Sequence, residues 1–234
     1  MMSEIMTCEL TDSSYPRRLK DISDAPKQIY YKGNIDIINK NKCIAIVGSR
    51  NCSKEGLKLS YETAAKAVEK GFVVVNGLAL GCDAEVLKGA LAKKGHCVAV
   101  MPCGLEQIQP KSNKYLADAI LENGGCVLSE YPQGSSLQKY NYVKRDRIQS
   151  GISEGVIIIE AEEKSGTMHT AQFALRQQRR LVCYASKLLE LSSGNKYLEE
   201  TRKAHVINNS EELDLYLDYI INEPEVGQML LEFK

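Results

Sequence analysis

The chain has no tryptophan, and only three phenylalanines and three histidines. The histidines, His96, His169 and His205, are too scattered to form a metal-ligand pair, and the eight cysteines include no C-x-x-C pair. No metal site is expected. Four of the cysteines, Cys43, Cys97, Cys126 and Cys183, lie inside apolar runs. With Cys8, Cys52, Cys82 and Cys103 they read as small, reduced core residues of a cytoplasmic protein, not as a disulfide framework. No apolar run approaches the ~20 residues that a membrane-spanning helix needs. The first ten residues carry Glu4 and Glu9 and no basic cluster, which is unlike a signal peptide. Net charge is missing too, since 30 Lys and Arg balance 30 Asp and Glu. That excludes a uniformly basic coat for nucleic acid. It leaves room for a local basic groove, because the field in a cleft follows the charges nearby.

What is present is a globular composition, with 44% apolar and 26% charged residues in 234, long enough to bury a core without staples. Short β-branched runs recur at 43–47, 72–76, 97–101, 126–128, 156–160 and 181–184. They are continuously apolar, as strands buried on both faces of a parallel sheet are. Helical patterns lie between them. Leu57, Tyr61, Ala64, Ala65 and Val68 mark one face. Val86, Leu87, Ala90 and Leu91 mark another, as do Leu116, Ala119 and Ile120, and then Met168, Ala171, Ala174 and Leu175. This alternation predicts an α/β fold: a doubly wound, mostly parallel sheet with helices on both faces. Residues 1–42 read as a loop-rich extension packed on the sheet edge, 43–206 as the core, and 207–234 as a C-terminal helix and tail.

Ligands of such sheets bind beyond the carboxyl ends of the strands, so the residues after each strand matter most. Gly48-Ser49-Arg50 follows the first run. Asn76-Gly77-Leu78-Ala79-Leu80-Gly81 follows the second, and Ser165-Gly166-Thr167 opens a helix after the fifth. Glycine lets backbone approach a ligand, and a helix N-terminus offers free N–H groups to an anion. Gly48, Ser49, Gly77, Gly81, Ser165, Gly166 and Thr167 are therefore the expected phosphate-binding rim. Each motif alone also fits an ordinary role, Gly48 as a tight turn and Ser165 or Thr167 as a helix cap. The chain lacks both the G-x-G-x-x-G spacing and the G-x-x-x-x-G-K-[ST] loop, so a nicotinamide cofactor and ATP hydrolysis are not expected. A second signal is the run Lys139 to Arg147, in which Lys139, Lys144, Arg145 and Arg147 interleave with Tyr140 and Tyr142. Cations that fix phosphates beside rings that stack on unpaired bases suit single-stranded nucleic acid. The plain alternative is a solvated segment paired with Asp146 and other acids.

These motifs, in this order, resemble the DNA-processing protein A (DprA/Smf) family, which has a Rossmann-like core. The resemblance begins at Tyr15-Pro16, Ala25-Pro26 and Lys32-Gly33-Asn34, and continues through Ala45 to Arg50. It goes on with Asn76-Gly77-Leu78-Ala79, Gly81, Asp83 and Gly89-Ala90-Leu91, then Leu128 to Pro132 and Tyr142 to Arg147. Glu160-Ala161, Ser165-Gly166-Thr167 and Ser193-Gly194-Asn195 complete it. It covers roughly residues 15–206. The family usually has arginine at Leu80, histidine at Leu87, proline at Val143 and asparagine at Asp146, and the changes at 80 and 146 weaken phosphate contact.

The resemblance implies single-stranded DNA binding, a homodimer, and delivery of the strand to a RecA-type recombinase in transformation. Carried over, Arg50, Lys139, Tyr142, Lys144, Arg145 and Arg147 form the DNA-contacting set, with no catalytic residue and no cofactor. Leu189, Leu191 and the terminal Met229, Leu230, Leu231 and Phe233 are candidate dimer residues. Two other readings stand beside this one. One is a non-catalytic nucleotide sensor. The other is a LOG-type nucleoside monophosphate phosphoribohydrolase, which shares the superfold but carries a glutamate pair after Gly-Thr. Here Met168, His169 and Thr170 follow Gly166-Thr167.

Overall fold

The computed structural model describes residues 4–222. In chain order the elements are β1 (Met6–Glu9), α1 (Arg17–Lys20), β2 (Gln28–Gly33), α2 (Asp36–Lys40), β3 (Cys43–Val47), α3 (Lys54–Glu69), β4 (Val73–Asn76), α4 (Cys82–Ala92) and β5 (Cys97–Met101). They continue with α5 (Lys114–Glu122), β6 (Cys126–Ser129), α6 (Lys139–Gly151), β7 (Gly155–Ile158), α7 (Thr167–Arg176), β8 (Arg180–Tyr184), α8 (Ser193–Glu200), β9 (His205–Ile207) and α9 (Ser210–Asn222).

All of these strands lie in one sheet, in the order β1-β2-β6-β5-β4-β3-β7-β8-β9. The pairs from β6 through β3 to β9 are parallel, and β2 joins β6 antiparallel. The expected doubly wound, Rossmann-like α/β fold is borne out. Each parallel strand alternates between two buried faces. Ile44, Ile46, Val74 and Ala99 pack under α3, α4, α5 and α9 through Ala64, Leu87, Ile120 and Leu217. Cys43, Ala45, Val47, Val75 and Val98 pack under α6, α7 and α8 through Ile148, Ala171 and Leu198. Burial on both sides accounts for the continuous apolar runs in the sequence.

Residues 1–42 do more than pack against the edge. β1 pairs with β2, and β2 pairs with β6 in the register Tyr30↔Ser129, so the extension supplies two strands to the sheet. Tyr15 is fully buried and its hydroxyl donates to the Pro26 carbonyl at 2.7 Å, which ties the loop between them. Of the candidate dimer residues, Leu189 packs against the core and Leu191 is half-buried, while Met229, Leu230, Leu231 and Phe233 lie outside the described residues. Among the described residues, no helix is long and apolar enough to cross a membrane.

The chain runs outward from β3 to β6, then returns to place β7 beside β3 with Val47 opposite Ile158. Direction reverses there. In open α/β sheets the helices on either side of such a switch point diverge, and a crevice opens at the carboxyl ends.

Candidate functional site

A cleft of about 520 Å³ occupies that crevice. Four segments build it: the turn after β3, the β4–α4 junction with Ala79 and Asp83, the start of α7, and one face of α6.

The β3 turn is held from two sides. Ser49 N–H donates to the Glu160 carbonyl at 2.7 Å, and Cys82 N–H donates to the Ser49 carbonyl at 3.1 Å. A Cβ on Gly48 would lie only 2.6 Å from the Cys82 Cβ, so glycine is the residue that lets α4 approach. Glu160 is fully buried and braces the next turn, accepting from Ser53 N–H at 2.6 Å and Leu191 N–H at 2.9 Å. Ser53 caps α3 by accepting from Gly56 N–H at 3.0 Å.

Across the cleft, Ser165, Gly166 and Thr167 open α7. The N-terminal N–H groups of the helix and the positive end of its dipole face the cavity. The Ser165 hydroxyl is shielded from solvent and has no partner among the described residues. The loop that presents it is fixed from behind by Asn195. That side chain accepts from Ala161 N–H at 2.8 Å and donates to the Ile159 carbonyl at 2.9 Å and the Tyr184 carbonyl at 3.0 Å. Asn195 thus gives the Ser193-Gly194-Asn195 motif a task at the site.

The basic-aromatic run forms α6 and is mostly inside the protein. Lys139, Tyr142, Val143 and Asp146 recur at three- and four-residue spacing and line the cleft. The Arg50 guanidinium lies over the Tyr142 ring, 4.9 Å from its centroid. Arg145 is only 5% exposed. It donates to the Val100 carbonyl at 2.7 Å and to Asp146 at 3.1 Å. Its guanidinium fills the space that a side chain at Gly77 would need. Asp146 also accepts from the Gln149 amide at 2.8 Å. Burial pushes the Asp146 carboxyl up to about 6, and the nearby Asp83 charge adds to this, against the pull of Arg145 and Arg50. Asp83 is raised as well, by burial, although Arg145 and the N–H groups of Gly77 and Ala79 favour its charged form. One buried arginine therefore faces two buried carboxylates on the cleft floor.

The structure brings Gly48, Ser49, Arg50, Lys139, Tyr142, Arg145, Ser165, Gly166 and Thr167 together around one cavity. It places the other expected residues elsewhere. Lys144 is exposed on the far side of α6, with its amine 5.4 Å from the Tyr140 ring centre. Arg147 is buried behind α6, paired with Glu130 and, at 3.2 Å, with Asp24. Gly77 accommodates Arg145, and Gly81, at φ +72, faces the Ser49 and Arg50 carbonyls. Gln149 lines the cleft and was not expected from sequence. Its spacing from Tyr142 and Asp146 on one helical face is the signal that would have found it.

The family model for DNA recombination-mediator protein A matches residues 6–217. The chain belongs to that family. The DprA/Smf resemblance is thereby borne out. DNA processing protein DprA of Streptococcus pneumoniae is 40% identical over 190 residues, which are 81% of this chain and 66% of that protein. The Bacillus subtilis protein of the same name is 34% identical over 202 residues, 86% of this chain and 68% of the relative. The chain thus spans about two thirds of their length. The structure of Helicobacter pylori DNA processing protein A, which concerns that protein's single-stranded DNA binding mode, aligns with a TM-score of 0.83 at 28% identity. The alignment covers 94% of this chain and 97% of that one.

Proposed function

We propose that this chain binds single-stranded DNA in the cleft at the β3/β7 switch point. The observation that carries the reading is the pairing of an anion-binding helix start, Ser165-Gly166-Thr167, with the Arg50–Tyr142 unit and Lys139 around one cavity. Backbone N–H groups, Arg50 and Lys139 hold phosphates, and the tyrosine offers an aromatic face to an unpaired base. A duplex cannot present such a base without opening, so single strands are preferred. On the same reading, which membership of a DNA recombination-mediator family supports, the protein acts in the cytoplasm as a homodimer and passes the strand to a RecA-type recombinase.

On this reading the cleft binds and performs no catalytic step. Its carboxylates, Asp83 and Asp146, are engaged with backbone N–H groups and with Arg145 and Gln149. The first turn of α7 carries Met168, His169 and Thr170 where a phosphoribohydrolase has its glutamates. A nucleotide sensor is the second reading. The cavity volume of about 520 Å³ favours it, being that of an ordinary small-ligand site.

The test is an electrophoretic mobility shift with single-stranded and duplex oligonucleotides over a salt series. Binding of the single strand that weakens with salt supports the reading. No strand preference even at low salt sinks it, and stabilisation by mononucleotides alone would put the sensor in its place.

A further inference from the structure

A second patch reaches the same edge of the sheet. After β5 the chain makes a short 3-10 turn, Lys111–Asn113, and enters α5. Asn113 is buried, and its amide donates to the Leu78 and Ala79 carbonyls, at 2.9 Å each. This clamp holds the start of α5 against the β4–α4 loop, whose Ala79 lines the cleft. Immediately beyond the clamp stand two large apolar side chains in solvent, Leu80 at 47% and Tyr115 at 55% exposure. In the chain, Lys114 directly precedes Tyr115 and Lys111 stands four residues before it, both exposed. Lys114 is paired with Asp118 at 2.6 Å, and Lys111 makes no ion pair among the described residues.

An isolated exposed apolar residue needs no explanation. Here a leucine and a tyrosine are exposed on two segments joined by a buried side-chain clamp, one residue on from the Ala79 that lines the cleft, with Lys111 exposed at the start of the same turn. We infer that Leu80, Tyr115 and Lys111 form an outlying contact for a single strand where it leaves the cleft. A base lies on the Tyr115 ring with Leu80 against its edge, and the Lys111 ammonium meets an adjoining phosphate. The occupant is the strand itself, because the patch lies on the carboxyl edge of the same sheet, after β4 and β5, and its Leu80 directly follows Ala79 of the cleft lining. Position 80, where the family resemblance leads one to expect arginine, then contributes apolar contact, which salt does not screen. The inference rests on the reading of the cleft as a single-strand site.

Because the chain has no tryptophan, Tyr115→Trp places one fluorescent reporter on the patch. The probes are oligothymidylates of about 6 and about 20 nucleotides, the shorter filling the cleft only. The longer strand should quench the tryptophan and the shorter should not. Tyr115→Ala should weaken binding of the longer strand by roughly tenfold, and leave the shorter unchanged. Leu80→Ala should weaken the longer strand with an unchanged salt slope. If the unmodified protein binds both lengths, the fluorescence is silent and Tyr115→Ala binds normally, this inference alone is overturned. If the unmodified protein binds neither length, the reading of the cleft falls and takes the inference with it.

Discussion

The guanidinium of Arg50 sits 4.9 Å from the centre of the Tyr142 ring, so the cation and the aromatic face of the cleft are one unit. Removing either member alters the setting of the other, but the two losses differ in kind. Tyr142→Ala should cost single-strand affinity by roughly 1–3 kcal/mol and leave the salt slope nearly unchanged. Arg50→Ala should also weaken binding, and should flatten the slope by roughly 0.7. Titrations at several salt concentrations separate the two. Equal slopes for both variants would show that Arg50 makes no phosphate contact.

Asp146 gives the cleft a pH dependence. Burial lifts its pKa from the ordinary 3.8 to about 6. Between these values the folded protein holds a proton that the unfolded chain has lost. This group therefore lowers stability as pH rises from about 4 through about 6. The same ionisation adds negative charge beside the phosphate rim. Single-strand binding should tighten as the pH falls from 7 towards 5.5. Asp146→Asn keeps an acceptor for Arg145 and Gln149 and removes the charge. It should bind more tightly at pH 7, flatten the profile, and raise stability there by roughly 1–3 kcal/mol. Burial raises the pKa of Asp83 in the same cleft too, so an undiminished pH dependence in Asp146→Asn would assign the effect elsewhere.

Arg147 and Lys139 belong to one helix and should fail differently. Arg147 is 7% exposed and pairs with Glu130 and Asp24, whereas Lys139 is exposed at the cleft mouth. Arg147→Ala strands the half-buried Glu130 carboxylate and removes a buried guanidinium, and should destabilise the fold by about 2–4 kcal/mol. Gly77→Ala, by driving a methyl group into the Arg145 guanidinium, should act in the same direction. Lys139→Ala should leave the urea midpoint unchanged and weaken DNA binding. A normal midpoint for Arg147→Ala would refute the structural assignment.

Among the eight free cysteines, seven are buried and Cys52 is half-buried. The Cys82 thiol donates towards Cys52 and lowers its pKa, and burial raises that of Cys97, Cys126 and Cys183. Alkylation of the native protein should modify Cys52 first, and denaturation without reductant should expose all eight thiols. Peptide mass spectrometry reads both. Modification of a core cysteine at the same rate would contradict the packing described.

The six parallel strands from β3 to β8 were readable because burial on both faces leaves unbroken β-branched runs. β1 and β2 were not, because at the sheet edge their side chains are only partly covered and the run Gln28–Gly33 looks polar. α6 was hidden for a different reason. Arg145, Asp146, Arg147 and Gln149 are buried by pairing with one another, with backbone carbonyls and with distant acids. A search for apolar periodicity passes over a helix whose inward face is charged. The rim of the cleft was legible as glycine-rich turns. Which glycines face the cavity and which make room for a neighbour depended on contacts such as Gly77 with Arg145.

The pairing of β2 with β6 sets an order on assembly. Tyr30 waits for Ser129, and Asp24 for Arg147, about a hundred residues further along the chain. A nascent chain can form the helix pair of α3 and α4 over β3 and β4 early, since those contacts are close in sequence. Its first forty residues find their places only after α6 has emerged. The basic helix that lines the cleft thus also anchors the beginning of the chain, together with Glu154 and Arg179, which hold Arg18, and the cleft and the amino-terminal edge should become protected from hydrogen exchange in the same late step.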